Sequence, residues 1–243
     1  MILPKSSDAI HKAWLYRLLI SLIDDSIISQ KIFFKGGTCL AMLNILDRFS
    51  VDLDFDLRTS VDKQVLRPKL HKIFKALNLE IKDESQNVLQ FFLKYPAKTK
   101  ERNTIKLDII DNFVKANQYT AYYLEEIDRY VNCQTIETMV ANKLVVATDR
   151  FNKNSSIAGR DVYDVHHFLV QDLGYNQEVI KERTGLSVKN YLQNLIKFIN
   201  QKVTQTIIDQ DLNMLLTQDK FHSLRKTLKT EVLMLLKDEI NRL

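Results

Sequence analysis

The sequence is poor in glycine and proline, the two residues that α-helices tolerate least. Five glycines and three prolines occur among its 243 residues; these eight are about 3% of the chain, whereas average usage is about 12%. This scarcity excludes collagen-like, Gly/Ser-linker and proline-rich classes. It favours a chain dominated by helices, and the length is sufficient for one large domain or two modest ones.

Long apolar runs, a secretory signal and a set of cysteines are also missing. No run of eighteen apolar residues occurs, so the sequence predicts no membrane-spanning helix. The N-terminal residues lack the basic, apolar and cleavage-site order of a secretory signal, so a cytoplasmic location is expected. Cys39 and Cys133 are too few for a disulfide framework and are expected to be reduced core residues.

The charge composition is close to ordinary, with 35 basic and 30 acidic residues and a formal net charge of +5. Such a mild excess permits a polyanionic partner but does not require one. The densest basic stretch contains one acidic residue, Glu101, and its basic residues are Lys94, Lys98, Lys100, Arg102 and Lys106. This stretch is either a solvated loop between strands or a contact for a polyanion.

The apolar periodicity changes along the chain. Helical spacing covers residues 8–28 and 61–77, and strands are predicted at residues 32–34, 50–58, 79–82, 88–95 and 104–110. The strands are expected to stop near residue 114, and from residue 134 the pattern is almost entirely helical. The sequence therefore predicts an α+β fold, with an α/β domain at residues 1–130 and a helical domain at residues 131–243.

The most informative stretch is an acidic strand. Between residues 51 and 57, apolar residues alternate with Asp52, Asp54 and Asp56, which predicts one apolar face and one acidic face. Carboxylates as close as Asp52 and Asp54 repel each other unless a cation lies between them, and carboxylate oxygens suit Mg²⁺. The spacing alone favours the solvated face of an edge strand over a metal site. Asp56, one pleat further on, is expected either to be solvated or to contact the metal-binding carboxylates without binding the metal itself.

Two other features fall near this strand in the predicted order. Gly36-Gly37 joins a short strand to a helix, with Thr38 near the helix cap, so backbone N–H groups at the turn can approach an anion. Asp108 supplies a third carboxylate from a separate strand, with Lys106 on the same face to neutralise phosphate. Asp111 competes for the third role, but strand parity places it on the opposite face.

These residues form motifs that resemble the AbiEii/AbiGii nucleotidyltransferase toxin family, part of the DNA-polymerase-β-like nucleotidyltransferases. The family signature is a K-G-G-T turn followed by R-x-S-x-D-L-D-F, present here at residues 35–38 and 48–55. Further matches are K-x-D at residues 106–108, K-L-V-V-A-T-D-R at residues 143–150, with its alanine one residue late, and R-D-x-Y-D at residues 160–164. Beyond residue 170 the chain resembles only the helical tail that such proteins often carry.

The resemblance implies a role for each matching residue. Asp52, Asp54 and Asp108 would bind Mg²⁺ and act in catalysis, together with Lys143, which resembles a family lysine that contacts phosphates. The nucleotide-binding residues would be Lys35, Gly36, Gly37, Thr38, Lys106, Arg160, Asp161 and Asp164. The residues alone leave an alternative for the last three, because Asp161 and Asp164 share a helix face near Arg160 and can form ion pairs. The resemblance further implies a polymerase-β-like core with a mixed sheet, followed by a helical region that completes the nucleotide cleft. Gly159 is expected to serve this cleft.

The resemblance also implies an activity. A nucleoside triphosphate would bind with Mg²⁺, an acceptor hydroxyl would attack the α-phosphate, and pyrophosphate would leave. In the family the expected acceptor is the 3′ end of tRNA, and the protein is the toxin of a toxin–antitoxin pair in phage defence, with an antitoxin as partner. Two alternatives stay open: a nucleotidyltransferase acting on a small molecule or a protein, and a nucleotide-binding module without catalysis.

Overall fold

A computed structural model of the chain describes residues 1–59, 61–98, 101–111 and 114–243. The chain divides into two compact units. The first, called the sheet unit here, consists of Met1–Phe113 and Tyr119–Gln134, and the second, called the helical unit, consists of Val114–Gln118 and Thr135–Leu243. Among the described residues, no helix is long and apolar enough to cross a membrane.

The sheet unit is built on one mixed sheet. Within the described residues, its seven strands are β1 (Ile32–Lys35), β2 (Asp52–Leu57), β3 (Glu80–Glu84), β4 (Leu89–Lys94), β5 (Thr104–Ile110), β6 (Tyr119–Leu124) and β7 (Arg129–Gln134). Their order across the sheet is β3-β4-β5-β2-β1-β7-β6. The β2–β5 and β1–β7 pairs are parallel, whereas the other neighbours are antiparallel.

The helices of this unit are α1 (Asp8–Asp24), α2 (Ser26–Ser29), α3 (Gly36–Met42) and α4 (Lys63–Ala76). The first two replace the single predicted helix over residues 8–28, because Asp25 has an extended backbone and caps α2 by accepting from the Ile27 and Ile28 N–H groups. The apolar face of β2 is buried through Leu53 and Phe55. The opposite face of that strand is therefore the acidic one.

The helical unit contains the remaining helices, α5 (Ile136–Asn154), α6 (Gly159–Val170), α7 (Gln177–Thr184), α8 (Val188–Lys202), α9 (Gln205–Leu212), α10 (Gln218–Leu224) and α11 (Leu228–Arg242). Helix α6 packs against α5, α9 and α11. Its buried residues include Val162, Tyr163 and Phe168, so most of its circumference is enclosed. The predicted fold class, a mixed sheet followed by a helical C-terminal region, is confirmed.

The strands do not stop near residue 114, as the sequence predicted, because β6 and β7 follow. Strand β6 lies at one edge of the sheet, and Leu124 is the single buried residue among its six, all of which the structure describes. An edge strand that buries so little has almost no apolar alternation. The prediction that Cys39 and Cys133 are core residues is confirmed, since both are buried.

Candidate active site

The acidic strand β2 lies in the middle of the sheet, between β1 and β5. The edge-strand alternative is therefore wrong. In the register, Asp52 is opposite Lys106 and Asp54 is opposite Asp108 on β5, while Lys35 of β1 is opposite Asp54. Residues opposite each other share a sheet face, so the strands bring these five predicted site residues to one face. Asp52 and Asp54 are both half-buried.

The glycine turn lies directly against this acidic strand. Gly36 has a φ of 82°, a conformation that L side chains rarely adopt, and a Cβ added there would lie 2.6 Å from Oδ2 of Asp54. A Cβ at Gly37 would lie 2.7 Å from Oγ of Ser50 and 3.3 Å from a guanidinium nitrogen of Arg48. The two signature motifs are thus in contact, and glycine is required because the backbone approaches the Asp54 carboxylate so closely.

Thr38 plays a different part from the predicted helix cap. Helix α3 already begins at Gly36, and no side chain caps it. The buried Thr38 hydroxyl instead donates to the backbone carbonyl of Asp52 at 2.5 Å. Its side chain therefore fixes the start of β2 relative to α3. The backbone N–H of Thr38 remains part of the predicted nucleotide turn.

The third predicted carboxylate, Asp108, is buried and already has two donors. Gln90 of β4 donates to its Oδ1 at 2.7 Å, and Lys106 forms an ion pair with its Oδ2. Lys106 therefore neutralises Asp108 in this structure. The competing residue, Asp111, lies beyond the end of β5 and is exposed, and Lys63 holds its pKa below the ordinary value through a 2.7 Å hydrogen bond.

Asp56 is buried, with 3% of its surface exposed, so the solvated alternative is wrong. It accepts hydrogen bonds from Lys35 at 2.5 Å, from Gln134 at 2.5 Å and from Tyr119 at 3.0 Å. The Tyr119 ring also stacks on Phe33, with 4.0 Å between centroids. Lys35, predicted to bind nucleotide, thus neutralises a buried carboxylate and holds β1 beside β2.

The carboxylates fit a magnesium site by their chemistry, although they are not arranged as one. Among the described residues, no three His, Cys, Asp or Glu side chains form a ready cluster for a metal ion. Asp52 and Asp54 offer oxygen ligands on a central strand, and the glycine at position 36 leaves space beside Asp54 that a Cβ would fill. Asp108 already accepts from Gln90 and Lys106, and its metal role stays a prediction.

The helical unit holds three of the other predicted site residues, Lys143, Asp161 and Asp164, in ion pairs. Lys143 of α5 lies 2.9 Å from Asp164 of α6, and Arg150 of α5 lies 3.0 Å from Asp161. Both aspartates are buried, with at most 1% exposed. Ion pairing, the alternative left open for the two aspartates, is therefore observed with partners from α5, and their contacts with a nucleotide stay a prediction. Arg150 was not predicted, because the resemblance gives it no role.

Two details distinguish the start of α6. A Cβ at Gly159 would lie 2.7 Å from the Ile207 carbonyl oxygen and 2.9 Å from the Ile208 Cα. This glycine therefore permits close packing on α9, and the expectation that it serves the cleft is wrong. Among the described residues, Oδ1 of Asp161 finds no hydrogen-bond donor. A buried acceptor without a partner is a position that a ligand or a water can satisfy.

The basic stretch forms the connection between β4 and β5. Lys98 and Arg102 are exposed, whereas Lys94 pairs with Glu80 at 3.2 Å; Lys100 lies outside the described residues. The loop leads into β5 two residues before Lys106, which is opposite Asp52. Because β2 and β5 are parallel, the basic loop lies at the same end of the sheet as Asp52.

A comparison with known protein families finds a match that covers most of the chain, including the glycine turn and the acidic strand. Residues 17–230 match the family model described as the nucleotidyl transferase AbiEii toxin of a type IV toxin–antitoxin system. The chain belongs to this family. It is therefore a nucleotidyltransferase, and its family membership implies a nucleotide substrate and an antitoxin partner. The resemblance seen in residues 35–170 is confirmed.

Two solved structures from Helicobacter pylori share the fold of this AbiEii family member. One is JHP933, with a TM-score of 0.60 and 18% identity, covering 98% of this chain and 94% of that chain. The other is described as a proposed nucleotidyltransferase, with a TM-score of 0.59 and 18% identity, covering 96% of each chain. No curated protein matches the chain. At this identity, the similarity concerns the fold alone.

Proposed function

We propose that this AbiEii family protein transfers a nucleotide from a nucleoside triphosphate to the 3′ end of tRNA in a Mg²⁺-dependent reaction that releases pyrophosphate. The toxin would act in phage defence under the control of its antitoxin. The observation that carries the chemistry is the contact between Gly36 and Asp54, opposite Asp108. It joins an anion-binding turn to carboxylates on a rigid strand, the combination that a metal-bound triphosphate needs.

Each part of the site has a role in this reaction. Asp52 and Asp54 would hold Mg²⁺, which when bound supplies positive charge against the triphosphate. The backbone N–H groups of the Gly36–Gly37 turn would bind phosphate oxygens. Asp108, held by Lys106 and Gln90, would be the third carboxylate and would accept the proton of the attacking hydroxyl.

The residues of the helical unit have less direct support. Arg160 is half-buried at the first turn of α6, and the remaining acceptor of Asp161 is unfilled among the described residues. Both are therefore available for the predicted nucleotide contacts. Lys143 would first have to leave Asp164, to which it is bound at 2.9 Å, in order to contact a phosphate.

The basic loop between β4 and β5 supports a polyanionic acceptor over a small alcohol. Lys98 and Arg102 are exposed at the end of the sheet that carries Asp52, and positive side chains bind phosphate backbones by releasing counterions. A small-molecule nucleotidyltransferase would need no such charges. A non-catalytic nucleotide-binding module would need no third carboxylate, yet Asp108 is opposite Asp54.

The test is to incubate the protein with Mg²⁺, total tRNA and each of the four α-labelled triphosphates in turn. We expect label in tRNA with at least one triphosphate, and no label from the γ-labelled form of the same nucleotide. Arg102→Gln should lower the rate of transfer to tRNA and reduce the dependence of that rate on salt. The matched control is Lys94→Gln, because Lys94 pairs with Glu80. Label in a small alcohol or a protein would favour the alternative acceptors, and no transfer to any acceptor would favour the binding module.

A further inference from the structure

The segment that leads into β2 is held by side chains rather than by strand pairing. The Phe49 carbonyl accepts from Arg48 at 3.1 Å, the Val51 carbonyl from His11 at 2.9 Å and the Asp52 carbonyl from Thr38 at 2.5 Å. Arg48 is a residue of this segment, whereas His11 belongs to α1. The backbone on the N-terminal side of Asp52 is thus fixed from a distant part of the sequence.

His11 itself is rigidly placed. Its side chain is 1% exposed, and its ring packs edge-on against Phe49, with centroids 5.9 Å apart. Nδ1 of His11 lies 2.7 Å from the Tyr95 hydroxyl, which also lies 2.7 Å from the Arg102 carbonyl. The ring therefore connects the base of the β4–β5 loop to the segment before Asp52.

The hydrogen-bond chemistry identifies the tautomer. The Val51 carbonyl can only accept, so Nε2 of His11 carries the proton and Nδ1 of a neutral ring is an acceptor. Burial lowers the pKa of His11 to about 4, which keeps the ring neutral at neutral pH. The Tyr95 hydroxyl then has one proton for two acceptors, Nδ1 and the Arg102 carbonyl. In contrast, the Nε2 proton of His11 has a single acceptor among the described residues, the Val51 carbonyl.

We propose that His11 is a positioning residue for nucleotidyl transfer: its Nε2–H fixes the Val51 carbonyl and thereby aims the neighbouring Asp52 carboxylate. The inference rests on the proposed role of Asp52 as a metal-binding carboxylate. Thr38 fixes the same residue from the other side, so the peptide groups before and after the Asp52 Cα are both held.

Two amide variants separate these roles. In His11→Gln the amide nitrogen can take the place of Nε2 and keep the Val51 bond, whereas in His11→Asn it can replace only Nδ1, on the Tyr95 side. Both introduce a buried amide, so both should lose some stability. We expect His11→Asn to lose roughly 10- to 100-fold in transfer rate per folded molecule, the range found for residues that orient metal ligands. His11→Gln should stay near the wild-type rate.

Hydrogen exchange of the peptide covering residues 46–57 gives a second reading that does not depend on activity. His11→Asn should exchange faster than wild type in this peptide, and His11→Gln should not. Equal exchange in the two variants would overturn the inference, and so would equal transfer rates despite different exchange. If wild type moved no label, the proposed function would be wrong, and so would the positioning of Asp52 for transfer. Hydrogen exchange would still decide whether His11 fixes the segment before Asp52.

Discussion

The two ends of the acidic face of β2 carry the same residue type in different surroundings. Asp56 is 3% exposed and accepts from Lys35, Gln134 and Tyr119. Towards the other end, Asp52 and Asp54 are half-buried, and Asp54 lies against the glycine turn and opposite Asp108. One alternating pattern thus contains a structural end at Asp56, where donors from other strands surround the carboxylate, and a chemical end at Asp52 and Asp54, where the glycine turn lies against the carboxylate proposed to bind the metal.

The first prediction separates these two ends by activity. Asp54→Asn keeps the shape of the side chain but removes its charge, so transfer should fall by roughly a thousandfold or more, since charge stabilisation by a bound metal is worth several kcal/mol and each 1.36 kcal/mol is tenfold. The melting temperature should stay near that of wild type. Label transfer from an α-labelled triphosphate measures the loss, and wild-type transfer by this variant would contradict the metal assignment.

The second prediction extends the comparison to the helical unit, whose buried aspartates resemble Asp56 in being paired. Lys143→Ala leaves the fully buried Asp164 without its cation, and breaking a buried pair costs about 3–5 kcal/mol. The double variant Lys143→Ala/Asp164→Ala should recover part of that loss in urea unfolding. If Lys143 also contacts phosphate, the double variant recovers stability without recovering transfer. A double variant that transferred normally would limit Lys143 to the ion pair.

The third prediction concerns the structural end. Asp56→Ala removes an acceptor from three donors and leaves Lys35 without its partner, so the free energy of unfolding should fall by about 3 kcal/mol. Transfer per folded molecule should remain, because the chemical end of the strand is unchanged. Urea unfolding and label transfer, measured on the same sample, check both parts. Loss of transfer at full stability would show that Asp56 belongs to the chemistry.

The fourth prediction concerns His11, which holds the segment before Asp52, and the dependence of stability on pH that its burial causes. The pKa of His11 is lowered from 6.5 to about 4 by burial, so the unfolded state takes up a proton at a higher pH than the folded state. Stability should therefore be complete above about pH 6.5 and fall by up to about 3 kcal/mol as pH is lowered towards 4. The difference between wild type and His11→Gln isolates this effect from the titration of carboxylates, and parallel stability curves would contradict it.

The residues of the chemical end could be singled out from the sequence, because the patterns that mark them are local. The alternation at Asp52 and Asp54, the glycine pair and the position of Asp108 on its own strand lie within short windows, and the structure places them on one face. The resemblance linked the turn to the strand, and the contacts of Gly36 and Gly37 explain why those motifs occur together.

The structural end could not be predicted, because its contacts are distant in sequence. The three donors to Asp56 lie 21, 63 and 78 residues away, and two of them come from β6 and β7, which the sequence pattern missed. The same holds for His11, which lies 40 residues from Val51. A lone histidine on an amphipathic helix carries no signal of such a bond. Gly159 was misassigned because its neighbour on α9 is about 50 residues further along the chain.

The most direct measurement is metal binding by the two ends of β2. Mn²⁺ prefers the same oxygen ligands as Mg²⁺, so its binding can be titrated by electron paramagnetic resonance for wild type, Asp54→Asn and Asp56→Asn in the presence of a non-hydrolysable triphosphate. We expect Asp54→Asn to lose the bound ion and Asp56→Asn, corrected for its folded fraction, to retain it. Wild-type affinity in Asp54→Asn, or loss of binding in Asp56→Asn alone, would contradict the assignment of Asp54 as a metal ligand.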